Sequence, residues 1–115
     1  MTYKPVTETQ LNEFLDASKQ TWKLQECDSV QKITKNFLFS DFKAAFAFMT
    51  RIALEAEKLD HHPEWSNVYN RLTITWTTHY IKGLSELDLK MAKVCDSVFY
   101  LFAVVAPQDK ITSSN

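Results

Sequence analysis

The first hydrophobic stripe of the chain has helical spacing and follows a helix start signal. Thr7 and Gln10 have the spacing of a capping box, and Val6 and Leu11 flank it as a hydrophobic staple. The stripe consists of Leu11, Phe14 and Leu15. This pattern predicts a first helix that begins after Thr7 and ends near Lys19.

From Thr21 the hydrophobic period changes to two. Trp22 and Leu24 alternate with polar residues, and the run from Val30 to Phe39 is rich in β-branched and aromatic side chains. A polar break, Cys27-Asp28-Ser29, separates the two runs. The pattern predicts two antiparallel strands joined at this break.

A long helix is predicted after the second strand. Ser40 is placed as its N-cap, with Asp41 in the first turn, where the helix dipole favours negative charge. One hydrophobic row with helical spacing consists of Phe42, Ala45, Phe46, Met49, Ile52, Ala53 and Ala56. A second row consists of Ala44, Ala47, Phe48 and Leu54. The hydrophobic surface of the helix from Asp41 to Leu59 is thus wider than packing against one core requires. Two interpretations remain open: the helix is completely buried, or it makes a second contact with another subunit.

The segment from Trp65 to His79 is predicted to be extended, with two distinct faces. Leu72, Ile74 and Trp76 share one parity and are expected to face the helices. The opposite parity consists of Thr73, Thr75, Thr77 and His79, with His79 at the far end near Gly83. A hairpin turning near Asn70 and a single strand with a bulge both fit this pattern.

The last helix is predicted to open at Ser85, where Asp88 completes a pair resembling a capping box. Pro107 is predicted to end it, with residues 107–115 forming a frayed tail. The element order is therefore αββαββα. Because the paired strands are too close for crossovers, we predict an α+β fold with a four-stranded antiparallel sheet and helices packed on one face. Residues 1–115 are expected to form a single domain.

The amino-acid composition argues against several classes of function. Basic and acidic residues are nearly balanced, 13 against 14, so the chain has no electrostatic footprint for nucleic acid or an anionic membrane. No window approaches the roughly 20 apolar residues of a membrane-spanning helix, and no signal peptide is recognised. Cys27 and Cys95 are too few for a disulfide framework and indicate reduced thiols in a cytosolic protein.

All three histidines lie between residues 61 and 79, which makes this stretch the candidate for chemistry near neutral pH. His61 and His62 are adjacent, so their side chains diverge on regular backbone, and Pro63 disfavours helix at His62. The pair is therefore predicted to end a helix or to occupy the turn after it. Zinc or iron ligands are generally spaced otherwise, and no metal is expected.

A longer pattern includes these histidines: Glu57, His61-His62-Pro63, Tyr69, His79 and Asp88. It resembles the signature of the pterin-4a-carbinolamine dehydratases, and the likeness extends over roughly residues 37–105. The chain closely resembles the animal-type dehydratase that doubles as a dimerisation cofactor of a homeodomain transcription factor. At these spacings the resemblance is far more specific than an isolated His-His-Pro.

The resemblance implies a lyase without metal or cofactor that acts on 4a-hydroxytetrahydrobiopterin, the product of aromatic amino acid hydroxylases. Loss of water would give quinonoid dihydrobiopterin and support tetrahydrobiopterin recycling. By the same resemblance, His61 and His79 are proton donors at the hydroxyl, and His62 positions the pterin and assists at N5. Further residues implied in pterin binding are Asp60, Pro63, Trp65, Thr78 and Asp88, with Glu57 and Tyr69 in support.

Three of these residues also have a purely structural interpretation. Asp88 could cap the last helix, Glu57 could be a solvated helix residue, and Trp65 could belong to the core. The resemblance further implies a homodimer or homotetramer, in the cytoplasm and also the nucleus, that contacts a transcription factor's dimerisation helix. A non-catalytic interaction module, using the helix from Asp41 to Leu59, is the alternative function.

Overall fold

The structure, a computed structural model, describes the backbone of residues 3–113 and the side chains of residues 3–102. The three helices are α1 (Glu8–Ala17), α2 (Phe42–Leu59) and α3 (Glu86–Ser113). The four strands are β1 (Lys23–Cys27), β2 (Val30–Leu38), β3 (Glu64–Val68) and β4 (Arg71–Trp76). A short 3₁₀ helix, His79–Ile81, connects β4 to α3.

The four strands form one antiparallel sheet in the order β1-β2-β4-β3. Two antiparallel hairpins therefore meet through β2 and β4, with Ile33 opposite Trp76 in the register. Buried residues of the sheet and the helices form a single core. The predicted α+β architecture, in the order αββαββα, is confirmed.

The segment after the His-His-Pro turn is a hairpin, which settles the open choice between a hairpin and a bulged strand. Tyr69, with φ of 53°, and Asn70 form the turn, and the Asn67 amide donates to the carbonyls of Tyr69 and Arg71. As predicted, the inward row of β4 is Leu72, Ile74 and Trp76.

His79 does not continue the β4 strand, so its predicted place at the end of the threonine face was wrong. The strand stops at Trp76, and a bridge between Thr78 and Gly83 closes a tight loop. The backbone N–H of Thr78 bonds to the Gly83 carbonyl at 2.9 Å, which forces the residues between them into the 3₁₀ helix.

The helix ends confirm one predicted cap and correct two other details. Thr7 and Gln10 form the capping box of α1 as predicted. The N-cap of α2 is Asp41 and not Ser40, because the Asp41 carboxylate accepts the N–H of Ala44 at 2.8 Å. Helix α3 continues through Pro107 to Ser113, so the predicted end at Pro107 was wrong; proline there removes one N–H of the helix without ending it. The predicted frayed tail falls on residues whose side chains lie outside the described part.

The second hydrophobic row of α2 is divided between the core and the surface. Phe48 is completely buried, whereas Leu54 is exposed. In the first row, Phe42 and Phe46 are exposed as well. Burial within the chain therefore accounts for only part of the hydrophobic surface of α2. Among the described helices, none is both long and apolar enough to cross a membrane.

Candidate active site

The candidate site lies where β3 begins and β4 ends. Helix α2 stops at Asp60, which adopts left-handed backbone with φ of 50°. The N–H of His61 then bonds to the Ala56 carbonyl and that of Asp60 to the Glu57 carbonyl, which is a Schellman arrangement. This helix stop holds the backbone of His61 directly against the end of α2.

His61 and Asp88 form a buried pair. His61 Nε2 lies 2.6 Å from Asp88 Oδ1, and the residues are 6% and 0% exposed. A carboxylate can only accept hydrogen bonds, so the proton between them is assigned to Nε2. The nitrogen of His61 that is left for other partners is therefore Nδ1.

The other oxygen of Asp88 receives two further hydrogen bonds. The Thr78 hydroxyl donates to Oδ2 at 2.7 Å, and the Ser85 N–H donates at 2.8 Å. Ser85 Oγ lies 2.6 Å from Thr78 Oγ1 and must be the donor there, because the Thr78 hydrogen is already used. Three donors thus hold this carboxylate in one orientation.

Asp88 satisfies two interpretations at once, as a helix cap and as an imidazole partner. It accepts the Ser85 N–H before the first turn of α3, but the reciprocal half of the predicted box is absent. Ser85 uses its hydroxyl on Thr78, and the Asp88 N–H bonds to the Ser85 carbonyl. The cap and the site are therefore built from the same side chain.

The other two histidines also face carboxylates, but in exposed positions. His62 Nε2 lies 3.1 Å from Glu57 Oε2, and His79 Nε2 lies 3.0 Å from Glu64 Oε2. The Glu64 carboxylate is shared, because Lys32 Nζ lies 3.1 Å from its Oε1. Each histidine consequently has its own acidic partner, and only the His61 pair is removed from solvent.

The remaining predicted residues are placed unevenly around the histidines. Trp65 packs partly buried against the core, as its structural interpretation required, and the Thr78 hydroxyl is used on Asp88. Asp60 is exposed at the end of α2. Tyr69 lies at the far end of the β3 hairpin, about 16 Å along the strand from Glu64. The structure therefore does not bring Tyr69 to the histidines of its own chain.

Four site neighbours were missed by the sequence reasoning: Glu64, Lys32, Ser85 and Trp76. Glu64 follows His-His-Pro directly, but its contact with His79 depends on the pairing of β3 with β4. Lys32 reaches Glu64 across β4. Only the position of Ser85, three residues before Asp88, contained a usable signal in the sequence.

Over the part of the chain with described side chains, no group of three His, Cys, Asp or Glu residues is placed to hold a metal ion. One buried thiol lies deeper in the core. Burial raises the pKa of Cys95 to about 12, with Asp96 acting in the same direction. The Trp76 and Lys35 side chains oppose this rise in pKa.

Comparison with known proteins gives a consistent result over most of the chain. The family model described as pterin 4 alpha carbinolamine dehydratase matches residues 4–98. A relative from Brucella ovis, which has the provisional name pterin-4-alpha-carbinolamine dehydratase, is 48% identical over 93 residues, covering 81% of this chain and 93% of the relative. A relative from Brucella melitensis biotype 1 with the same provisional name has the same identity and coverage.

Two solved structures share the fold. A transcriptional coactivator/pterin dehydratase from Brucella melitensis superposes with a TM-score of 0.70 at 46% identity, covering 83% of this chain and 98% of that one. A pterin dehydratase-like protein described as a RuBisCO assembly factor in the α-carboxysome has a TM-score of 0.58 at 20% identity, covering 68% and 88%. This second likeness concerns the fold alone. The family model, the relatives and the Brucella melitensis structure agree with the resemblance that the sequence motif indicated. The chain belongs to the pterin-4-alpha-carbinolamine dehydratase family.

Proposed function

We propose that this protein dehydrates 4a-hydroxytetrahydrobiopterin to quinonoid dihydrobiopterin by histidine acid–base catalysis. The C4a–O bond breaks, N5 loses its proton, and a C4a=N5 double bond forms with release of one water. The reaction needs an acid at the leaving oxygen and a base at nitrogen. Imidazoles suit both tasks near neutral pH, and a positioned one contributes roughly 10²- to 10⁴-fold in rate.

The buried His61–Asp88 pair is the observation that supports this proposal most strongly. Asp88 accepts a hydrogen bond from the Nε2–H, so His61 works through Nδ1, as the acid when protonated and as the base when neutral. The three donors on Asp88 prevent it from turning away during proton transfer. A fixed carboxylate and imidazole of this kind are typical of general acid–base sites.

His79 is proposed as the second proton donor at the hydroxyl. Its Nε2 faces Glu64, which leaves Nδ1 for the substrate, and its exposure permits rapid proton exchange with water. His62, paired with Glu57, is proposed to position the pterin and to assist at N5. In this scheme the buried imidazole is rigid and the exposed ones return protons to solvent.

A coupled phenylalanine hydroxylase assay tests the dehydratase proposal. Decay of the 4a-carbinolamine absorbance is followed with wild-type protein and with His61→Ala and His79→Ala, each verified by circular dichroism. We expect wild-type protein to accelerate the decay and each variant to lose at least about tenfold of that acceleration. Folded wild-type protein that gives no acceleration would overturn the proposal.

A second role, as an interaction module, is favoured by the exposed aromatic side chains of α2. Phe42 and Phe46 lie with ring centroids 5.8 Å apart on the solvent side of the helix. The Brucella melitensis structure is described as a coactivator as well as a dehydratase. We propose that this face contacts another subunit in a homodimer or homotetramer, or the dimerisation helix of a transcription factor.

Light scattering tests the proposed contact. Phe46→Asp is expected to shift an oligomer to monomer at micromolar concentration without loss of helix content. Lys43→Asp, an exposed change on the same helix, is the matched control and should leave the mass unchanged. Wild-type protein that is already monomeric under these conditions would contradict the self-association.

A further inference from the structure

The buried His61 imidazole has a second close neighbour, the indole of Trp76. The two ring centroids are 5.6 Å apart and the ring planes are inclined by only 18°. Trp76 is completely buried, so this face of the imidazole is shielded from water. His61 is therefore held at its edge by a carboxylate and on its face by an aromatic ring.

Trp76 is a rigid support because the sheet fixes its backbone. It is the last residue of β4 and lies opposite Ile33 in the register with β2. Two residues later, Thr78 donates to the Asp88 carboxylate. The end of one strand thus supplies a contact to each member of the His61–Asp88 pair.

The indole of Trp76 introduces a buried polar N–H that the packing of the core does not require. Among the described residues, Trp76 Nε1 has no hydrogen-bond partner. The neighbouring Cys95 sulfur, whose pKa the indole lowers, is at most a weak acceptor for this N–H. Leaving a buried donor unpaired is unfavourable, whereas leucine or phenylalanine would present no such group. The contact with His61 is the feature that an apolar aliphatic side chain would not supply.

We propose that Trp76 is a positioning residue that fixes the plane of the His61 imidazole. The stacked indole limits rotation of the ring, so Nε2 remains on Asp88 and Nδ1 remains the nitrogen that exchanges protons. Offset aromatic stacking of this kind favours one ring orientation by about three- to tenfold. Its kinetic consequence rests on the proposed dehydratase function, whereas its effect on the imidazole does not.

Three variants separate positioning from packing. Trp76→Leu removes the ring, Trp76→Phe retains an aromatic face, and Phe37→Leu removes a buried aromatic ring from the neighbouring strand without a contact to any histidine. Long-range proton–nitrogen NMR spectra of the imidazoles are recorded for each, with the His61 signals assigned by His61→Gln. Dehydratase kinetics and thermal unfolding are measured on the same samples.

We expect wild-type His61 to give a single Nε2–H tautomer. Trp76→Leu should give mixed tautomers and lower kcat about tenfold, with KM changed less than about threefold. Trp76→Phe should restore the wild-type spectrum and most of kcat. Phe37→Leu should lower thermal stability but leave the His61 spectrum unchanged and kcat within about twofold.

A folded Trp76→Leu protein with the wild-type His61 spectrum would overturn the proposal. If that variant does not fold, Trp76→Met replaces it, since the flexible methionine fills the space without a ring. Wild-type protein without dehydratase activity would overturn the proposed function alone. In that case, the tautomer of His61 in the Trp76 variants still decides whether Trp76 positions the imidazole.

Discussion

Asp88 accepts a hydrogen bond from His61 at 2.6 Å while its second oxygen accepts from Thr78 and from the Ser85 backbone. All of these donors converge on a carboxylate that is completely buried. Because donors face both oxygens of Asp88, both atoms must be hydrogen-bond acceptors, and an amide group provides only one.

Asp88→Asn should lower both stability and activity. An asparagine has one oxygen and one NH₂ group, so either His61 or the pair of donors must face a second donor. We expect a loss of about 1–3 kcal/mol in the free energy of unfolding, measured with urea, and a fall of at least about a hundredfold in dehydratase kcat. Asp28→Asn, an exposed change in the turn between β1 and β2, is the control. Equal stability of the Asp88→Asn protein and the wild type would contradict the buried network.

The Glu64 carboxylate should matter more through its contact with His79 than through its contact with Lys32. Glu64→Gln keeps an oxygen beside His79 Nε2 but removes the negative charge, and we expect kcat to fall about three- to tenfold. Lys32→Met removes only the far side of the partly exposed ion pair and should change kcat less than about threefold. A larger effect from Lys32→Met than from Glu64→Gln would reverse this assignment.

The two cysteines should differ sharply towards thiol reagents. Cys27 is exposed and should be modified within minutes at pH 8, whereas Cys95 is buried with its pKa raised to about 12. Mass spectrometry should therefore find one modified site in folded protein and two after denaturation. Rapid modification of Cys95 in the native protein would contradict its burial.

Cys95 also predicts how stability depends on alkaline pH. Its folded pKa of about 12 is above the ordinary thiol value of 9.0, so the unfolded chain loses this proton first. The stabilising contribution is complete below about pH 9 and is lost as the pH rises towards 12. The wild-type protein should lose more stability than Cys95→Ala over this range. Parallel urea midpoints for the two proteins from pH 8 to 11 would exclude the effect.

The start of α2 can be tested by changing two adjacent residues. Asp41→Ala removes the acceptor for the Ala44 N–H and should lower the free energy of unfolding by about 1 kcal/mol. Ser40→Ala should have an effect close to zero, because Ser40 is not the cap. Urea unfolding of both variants compares the two positions directly, and a larger loss for Ser40→Ala would place the cap where the sequence first predicted it.

The elements of the fold were predictable because their signals are local. The box at Thr7, the alternation of Leu72 and Ile74 with threonines, and the polar break at Asp28 each span a few residues. Ser40 and Asp41 are both good N-caps, and only the backbone shows which of them precedes the first helical residue. Errors of this kind shift an element end without changing the architecture.

The histidines of the site were predictable, but most of their partners were not. His61 and Asp88 are 27 residues apart, and the contact of His79 with Glu64 depends on how β3 pairs with β4. The stacking of Trp76 on His61 was hidden because Trp76 also fits the hydrophobic row of its strand. When a buried side chain also contacts a functional residue, the sequence pattern shows only that the side chain is buried.

The left-handed residue at the end of α2 also limits how the chain can change in length. Only residues 60–63 separate Leu59 from Glu64, and both ends of this segment are fixed, by the hydrogen bond of His61 to Ala56 and by the pairing of Glu64 with Thr75. One inserted or deleted residue would release one of these ends and carry His61 away from Asp88. We therefore expect insertions and deletions in this segment to be incompatible with the buried pair.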